Sequence, residues 1–269
     1  MRQWMKILCG SITAMGILFH TSQAVLAEEF LPGGTASLSA ISCYTTWKQF
    51  SQPNWNTPAI DEDGCLNYSL AKMTVRYNLP ISNVNIFTNS YDYYVQFTET
   101  VISGSGTKIS QFFNTYGTYT TRLDTTWISG GTLEDKMRLA YETCASYGDS
   151  NEWCFILQMT TKSGSSHYVM VDRVDLYEGR LYLLDSGSSY VQYLGDSMTL
   201  QKEYSINTVY AFQFTQIPGD CDGDRQLTEE DAKIIMYSSA VVGTKGDANH
   251  DGKIDLADAV YIMRASDYN

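Results

Sequence analysis

The segments Asp220–Asp231, DCDGDRQLTEED, and Asp247–Asp258, DANHDGKIDLAD, repeat one pattern at an offset of 27 residues. Carboxylate or amide side chains recur at positions 1, 3, 5 and 12, and an apolar helical spacing follows each segment. Calcium takes about six to eight oxygen ligands, which a 12-residue loop supplies from positions 1, 3, 5, 7, 9 and 12. The repeat therefore predicts two calcium-binding loops, each followed by a helix.

The predicted calcium ligands occupy the same six positions in each loop, and the residue at position 7 binds through its main-chain carbonyl. In the first loop they are Asp220, Asp222, Asp224, Gln226, Thr228 and Asp231, and in the second loop Asp247, Asn249, Asp251, Lys253, Asp255 and Asp258. Position 6, where glycine eases the turn, is Gly252 in the second loop but Arg225 in the first. We expect two Ca²⁺ ions, with a weaker or strained first site.

The charge of the chain supports a metal and argues against nucleic acid. The formal net charge is −12. From Gly219 to the end there are eleven acidic and five basic side chains, which give this stretch a net charge of −6. Nucleic-acid binding requires the opposite sign. Carboxylates crowded in this way repel one another unless a cation lies among them.

Two calcium loops, each followed by a helix, within a short terminal stretch resemble the dockerin family. The resemblance covers Gly219 to the end, within a predicted domain of residues 217–269. It implies binding to a cohesin module of a scaffold protein, as in a cellulosome. Recognition positions 10 and 11 are Glu229-Glu230 in one half and Leu256-Ala257 in the other. Because the halves differ, we expect one preferred binding orientation.

The N-terminus has the features of an export signal. Arg2 and Lys6 precede an apolar run, Ile7–Phe19, and a small-residue cleavage site, Val25–Ala27. We therefore predict a signal peptide over residues 1–27. The protein is expected to be secreted and extracellular, at the cell surface or in a free cellulosome-type complex. No later segment is apolar enough to predict a membrane span.

The order of apolar patterns predicts an α+β fold. After a lead-in at residues 28–42, a larger domain at 43–216 begins with helical spacing and continues with alternating, strand-like runs. The predicted helices lie at Cys65–Tyr77, within Gly104–Tyr116 and at Thr132–Ser146, and the predicted antiparallel strands at Trp153–Thr160, His167–Leu176, Arg180–Leu184 and Thr208–Phe214. Ile217-Pro218-Gly219 marks the boundary with the acidic tail.

The cysteines suggest a nucleophile. Six occur, and five remain once Cys9 leaves with the signal, so at least one thiol does not pair within the chain. Cys65 is the best placed, because it follows Gly64 and opens a predicted helix, whose N-terminus favours a thiolate. The pairing of the other four, Cys43, Cys144, Cys154 and Cys221, stays open. Proximity in the sequence suggests a Cys144–Cys154 disulfide.

A catalytic base follows by elimination among the three histidines. His20 lies in the signal and His250 in a calcium loop, which leaves His167. It opens a strand, and a turn near Glu178-Gly179 leads into a second strand that ends at Asp185. Such a hairpin can return Asp185 to His167, where a carboxylate would orient the imidazole.

These residues resemble the papain-like C39 peptidase group, and its exported C39-like branch in particular. The resemblance covers about Cys43 to Tyr193 and is carried by Lys48-Gln49-Phe50, Trp55, Asp63-Gly64-Cys65, His167-Tyr168-Val169-Met170-Val171 and Leu184-Asp185. It implies a papain-like fold and the roles of Cys65 as nucleophile, His167 as base and Asp185 as its partner. It also implies that Gln49 donates to the oxyanion, with Gln52 as the alternative. Leu66 and Ser186 depart from the family pattern, which leaves the substrate preference open.

We therefore expect a secreted cysteine peptidase that cleaves a peptide or protein substrate while docked on a cohesin. The alternative is a catalytically inactive papain-like adaptor whose biology comes from the dockerin alone. A carbohydrate-active enzyme is less favoured, because no pair of catalytic carboxylates on strands is evident.

Overall fold

The computed structural model describes residues 64–85, 87–88, 90–103, 105–148, 152–160, 164–187, 192–195, 205–238 and 243–266. All of them belong to one compact unit. The predicted signal peptide and lead-in lie outside these residues, as do Cys43, Gln49 and Gln52. No helix in the described ranges is long and apolar enough to cross a membrane.

The described chain combines helices with an antiparallel sheet, in agreement with the predicted α+β class. The α-helices are α1 (Gly64–Arg76), α2 (Ser90–Thr100), α3 (Lys108–Thr115), α4 (Leu133–Ala145), α5 (Glu229–Ser238) and α6 (Leu256–Ser266), and a 3₁₀ helix spans Gly243–Gly246. The strands are β1 (Thr120–Trp127), β2 (Trp153–Thr160), β3 (Ser166–Asp175), β4 (Arg180–Leu184), β5 (Gln192–Tyr193) and β6 (Ser205–Phe214). They form one six-stranded sheet in the order β1-β6-β2-β3-β4-β5.

The two faces of the sheet bury two separate cores. Side chains alternate along a strand, so Ile156 of β2 lies in a first core and Phe155 in a second. The first core joins the sheet to α1, α2, α3 and the two tail helices. The second core joins the opposite face to α4, through Ala140 and Cys144.

Helix α1 is central to the first core and carries the predicted nucleophile near its start. Every residue from Gly64 to Thr74 is buried. The Ser69 hydroxyl donates to the carbonyls of Cys65 at 2.8 Å and Tyr168 at 3.2 Å, and thereby links the first turn of α1 to β3. The burial and this link fix the start of α1 against the strand that carries His167.

Helix α4 begins where the sequence predicts it. The Thr132 hydroxyl accepts a hydrogen bond from the Asp135 amide at 3.2 Å, and the Asp135 carboxylate accepts one from the Thr132 amide at 2.9 Å. This reciprocal capping box satisfies two amides that an uncapped helix leaves without partners.

The tail, defined here as residues 217–266, packs directly on the body, defined as residues 64–216. Leu227, Ile235 and Ile262 share the first core with body side chains. The Phe87 ring of the body lies 5.1 Å from the Tyr261 ring and 4.3 Å from the Arg264 guanidinium carbon. The predicted boundary segment is buried from Ile217 to Gly219.

Two expectations of the sequence are wrong. Strand β1 precedes α4, so the helices do not all come before the sheet. It was missed because TTRLDTTW is mostly polar and partly exposed, as suits an edge strand. The suggested Cys144–Cys154 disulfide is also wrong, since both thiols are free. Cys154 lies in the first core and Cys144 in the second.

Candidate active site and acidic loops

Cys65 lies at the start of a helix, as predicted, although α1 begins one residue earlier at Gly64, and its side chain is buried. The first amides of a helix have no partner within the helix and point out from its N-terminus. This end also has a positive partial charge, which favours an anion such as a thiolate. Cys65 therefore lies at a helix end whose free amides and partial positive charge face it.

His167 and Asp185 lie together, as the hairpin pattern predicts. The imidazole Nε2 is 2.9 Å from Asp185 Oδ1. Strands β3 and β4 pair with Met170 opposite Leu184, so the residue after β4 returns beside the start of β3. The turn between the strands includes Gly179 at φ +67°. Asp185 is 3% exposed, so water screens its charge little.

His167 also interacts with Cys65, which completes the predicted triad. Burial lowers the pKa of His167, but the hydrogen bonds and charges of Asp185 and Cys65 together outweigh it and raise the pKa to about 9. Because Nε2 faces Asp185, Nδ1 is the ring nitrogen left for the thiol. The geometry therefore favours an imidazolium held between a carboxylate and a sulfur.

Further contacts hold Asp185 in place, and no sequence pattern indicates them. The amide of Gly187 donates to Asp185 Oδ1 at 2.8 Å. A side chain at Gly187 would put its Cβ 3.2 Å from the same oxygen, so a larger residue would crowd it. The Lys72 ammonium of α1, fully buried, lies 3.5 Å from the carbonyl of Leu184. Lys72 thus ties the helix of the nucleophile to the end of β4.

The other described thiols are in environments that disfavour the thiolate. Burial raises the pKa of Cys144 well above its usual value and that of Cys154 to about 11. Burial, with help from the surrounding carboxylates, raises the pKa of Cys221 to about 12. A thiolate is the reactive form, so these three thiols are poor nucleophiles at neutral pH.

The two acidic loops share one backbone geometry. In each loop the amide at position 6 donates to the position 1 carboxylate, position 5 to the side chain at position 3, and position 7 to that at position 5. The position 12 carboxylate accepts from the amides at positions 2, 3 and 9. The loops therefore share these six bonds, as the sequence repeat predicts, and differ at position 1, where only Asp220 also accepts from the amide at position 4.

Two positions of each loop adopt left-handed backbone. Position 4 is Gly223 in the first loop and His250, at φ +62°, in the second. Position 6 is Arg225, at φ +67°, in the first loop and Gly252 in the second. A residue with a Cβ is strained in this region by about 1–2 kcal/mol, so each loop carries one such strain.

The first loop gathers its oxygen ligands around one point. Oxygens of Asp220, Asp222 and Asp224 lie within 4.8 Å of one another. Thr228 and Asp231 lie beside each other, with the Thr228 hydroxyl 3.2 Å from the Asp231 carboxylate. These two also cap α5, since Thr228 immediately precedes the helix.

The second loop contains a buried oxygen that a cation would satisfy. Oδ1 of Asp247 is buried and has no hydrogen-bond partner among the described residues, while its Oδ2 accepts from Gly252. Asn249 and Asp251 lie 3.4 Å apart through Nδ2 and Oδ2. Asp258 is buried at the other end of the loop.

The crowded carboxylates are energetically unfavourable as anions without a counter-charge. Burial raises the pKa of Asp220, Asp231 and Asp258, against the opposing effect of their backbone hydrogen bonds. The donors are oxygen atoms throughout, which suits a hard cation such as Ca²⁺ or Mg²⁺. The residues therefore fit a bound divalent cation.

No family model, no curated protein and no solved structure matches the chain.

Proposed function

We propose that this chain is a secreted cysteine peptidase that cleaves peptide bonds in a peptide or protein substrate. The observation that carries the proposal is His167, held at 2.9 Å by the buried Asp185 while it interacts with Cys65 at the start of a helix. A strand-borne histidine beside a helix-borne cysteine also supports the papain-like, C39-like arrangement.

The first chemical step transfers the Cys65 proton to Nδ1 of His167. Asp185 accepts a hydrogen bond from Nε2–H, which fixes the ring orientation and stabilises the imidazolium. The thiolate then attacks the carbonyl carbon of the substrate, and the C=O π electrons move to oxygen. The Cys65 amide is the described donor for that oxyanion, and the family resemblance adds Gln49.

The second step releases the amine product. The imidazolium of His167 returns its proton to the leaving nitrogen as the C–N bond breaks, which leaves a thioester on Cys65. Water, deprotonated by His167, then attacks the thioester and regenerates the thiol. The high pKa of His167, about 9, keeps the proton on the ring until the leaving nitrogen takes it.

The tail is proposed to hold two Ca²⁺ ions and to attach the enzyme to a cohesin-type scaffold module. The repeated loop geometry, the clustered oxygens of Asp220, Asp222 and Asp224 and the orphaned oxygen of Asp247 support the cation sites. Bound calcium would neutralise the carboxylates and rigidify the loops. Glu229 and Glu230 are exposed at the start of α5, where a partner can contact them.

The test is covalent labelling by a thiol-directed peptidase inhibitor, together with hydrolysis of a peptide library. Wild type should be labelled at Cys65 and should hydrolyse peptides, whereas Cys65→Ala and His167→Ala should do neither. Cys221→Ala is the matched control, because it removes a thiol outside the site. Full hydrolysis by Cys65→Ala would contradict the proposal. Slow, unselective alkylation of Cys65 together with no hydrolysis would favour the adaptor.

A further inference from the structure

The end of helix α1 is closed by a residue that also contacts the tail. Asn78 adopts left-handed backbone, φ +45°. The Asn78 amide donates to Val75 at 3.1 Å, and the Leu79 amide donates to Thr74 at 2.8 Å. Asparagine is one of the residues that tolerate this conformation at a helix C-terminus. Asn78 therefore terminates the helix that begins at the candidate nucleophile.

The polar groups of Asn78 are bonded to the tail. Its Nδ2 donates to the carbonyls of Pro218 at 2.8 Å and Ala248 at 2.9 Å, and its Oδ1 accepts from the Tyr261 hydroxyl at 2.9 Å. Its main-chain carbonyl accepts from Nε2 of His250 at 2.9 Å. Asn78 is 2% exposed, so without the tail these groups would lose buried partners, which is unfavourable.

Two of these partners belong to the second acidic loop, namely the main-chain carbonyl of Ala248 and the imidazole of His250. Ala248 and His250 occupy positions 2 and 4, between the ligand positions 1, 3 and 5. The Ala248 amide donates to Asp258 at 2.8 Å, and His250 is left-handed at φ +62°. Fixing the ligand side chains of this loop therefore fixes the groups that hold Asn78.

We propose that the second loop is a cation-dependent clamp on helix α1. A Ca²⁺ ion held by this loop stabilises the body and the helix that carries Cys65, in addition to the tail itself. The inference rests on the calcium sites of the proposed function and is independent of peptidase activity.

The test is amide hydrogen exchange, followed by mass spectrometry, on the full-length protein in CaCl₂ and in chelator. Calcium should slow exchange of the buried α1 amides from Tyr68 to Met73. At a calcium concentration 100 times Kd the slowing should reach about 100-fold. Asp251→Asn, in the second loop, should lose most of this protection. Asp224→Asn, at the equivalent position of the first loop, should keep the greater part.

A second pair of variants tests the contact itself. Asn78→Gly keeps a residue suited to left-handed backbone and the main-chain carbonyl that His250 contacts. It removes the three side-chain bonds to the tail, so calcium should protect α1 much less than in wild type. Asn83→Gly is the matched control, because Asn83 is exposed and also left-handed, at φ +64°. It should behave as wild type.

The outcomes separate the proposals. If calcium protects the amides of α6 but leaves those of α1 unchanged, the clamp is overturned while the calcium sites stand. If calcium protects no part of the chain, both the clamp and the calcium sites are overturned. Neither result bears on the peptidase, which is decided by the Cys65 and His167 variants.

Discussion

At the scale of single residues, Asp185 and Cys65 together raise the pKa of His167. The pKa of His167 is about 9 because the partner interactions outweigh burial, so the proton that Cys65 transfers stays on the ring at neutral pH. Activity that needs this proton should fall as the pH rises through about 9. The high-pH limb of kcat/KM therefore measures the pKa of His167, which depends on the Asp185 carboxylate.

Replacing Asp185 with asparagine should move that limb to lower pH. The amide removes the negative charge that raises the pKa of His167, while burial, which lowers it, remains. The measurement is the pH dependence of kcat/KM for a peptide substrate. Asp175→Asn, at the far end of the same hairpin, is the control and should keep the limb near its wild-type position. If the high-pH limb of kcat/KM in Asp185→Asn stays at its wild-type pH, Asp185 does not raise the pKa of His167.

A second prediction at this scale concerns the four described thiols. At pH 7 a small alkylating reagent should modify Cys65 before Cys144, Cys154 and Cys221. The pKa of Cys154, about 11, leaves it about 100-fold less thiolate than an ordinary cysteine. Peptide mapping after brief alkylation measures the order. Faster modification of Cys221, which is the most exposed of the three, would contradict it.

At the scale of elements, the acidic loops should bind calcium one ion each. Calorimetric titration of wild type should give two sites, and Asp222→Ala should give one. Glu229→Gln is the control, because Glu229 is an exposed acid at position 10 of the same loop, outside its ligand positions. Each filled site should stabilise its own loop by about 2.7 kcal/mol at 100 times its Kd. Two sites in Asp222→Ala would show that Asp222 is not a required ligand of the first site.

The sequence predicts elements whose side chains show a clear pattern. Strand β2 and strand β4 have the predicted bounds, and α4 has the predicted cap, because apolar runs and capping residues are local signals. Helix α2 was missed, since SYDYYVQFTET is rich in residues that favour strands. Its buried Tyr93 and Phe97 are four residues apart, which is a helical spacing that the composition obscured.

The residues of the candidate site also fall into two groups, those that a sequence pattern predicts and those that it does not. Cys65 and His167 are predictable because the chain has few cysteines and histidines, and Asp185 is predictable because the hairpin pattern returns it to His167. Lys72, Ser69 and Gly187 were not, since their roles arise from contacts across the fold. Asn78 is the extreme case, because its partner Tyr261 is 183 residues away in the chain.

At the scale of the whole molecule, the tail is part of the hydrophobic core of the body. A chain ending at Gln216 would lose Leu227, Ile235 and Ile262 from the first core. We predict a lower melting temperature and stronger binding of an apolar dye than in the full chain, because buried apolar surface becomes exposed. Tyr237→Ala in the full chain is the control, since Tyr237 is 70% exposed. An unchanged melting temperature after truncation would show an independent tail.

The buried boundary segment affects how a tethered copy of the protein could move. A Cβ at Gly219 would lie 2.9 Å from Leu227 and 3.0 Å from Ala248, so the chain passes there through filled space. A flexible linker lets a tethered domain search the volume around its anchor, and longer chains search more of it. Here no flexible linker of this kind joins β6 to the first acidic loop. A scaffold protein that bound the tail rigidly would therefore also fix the orientation of the body, including Cys65. Substrate would then have to approach from the side on which Cys65 is held.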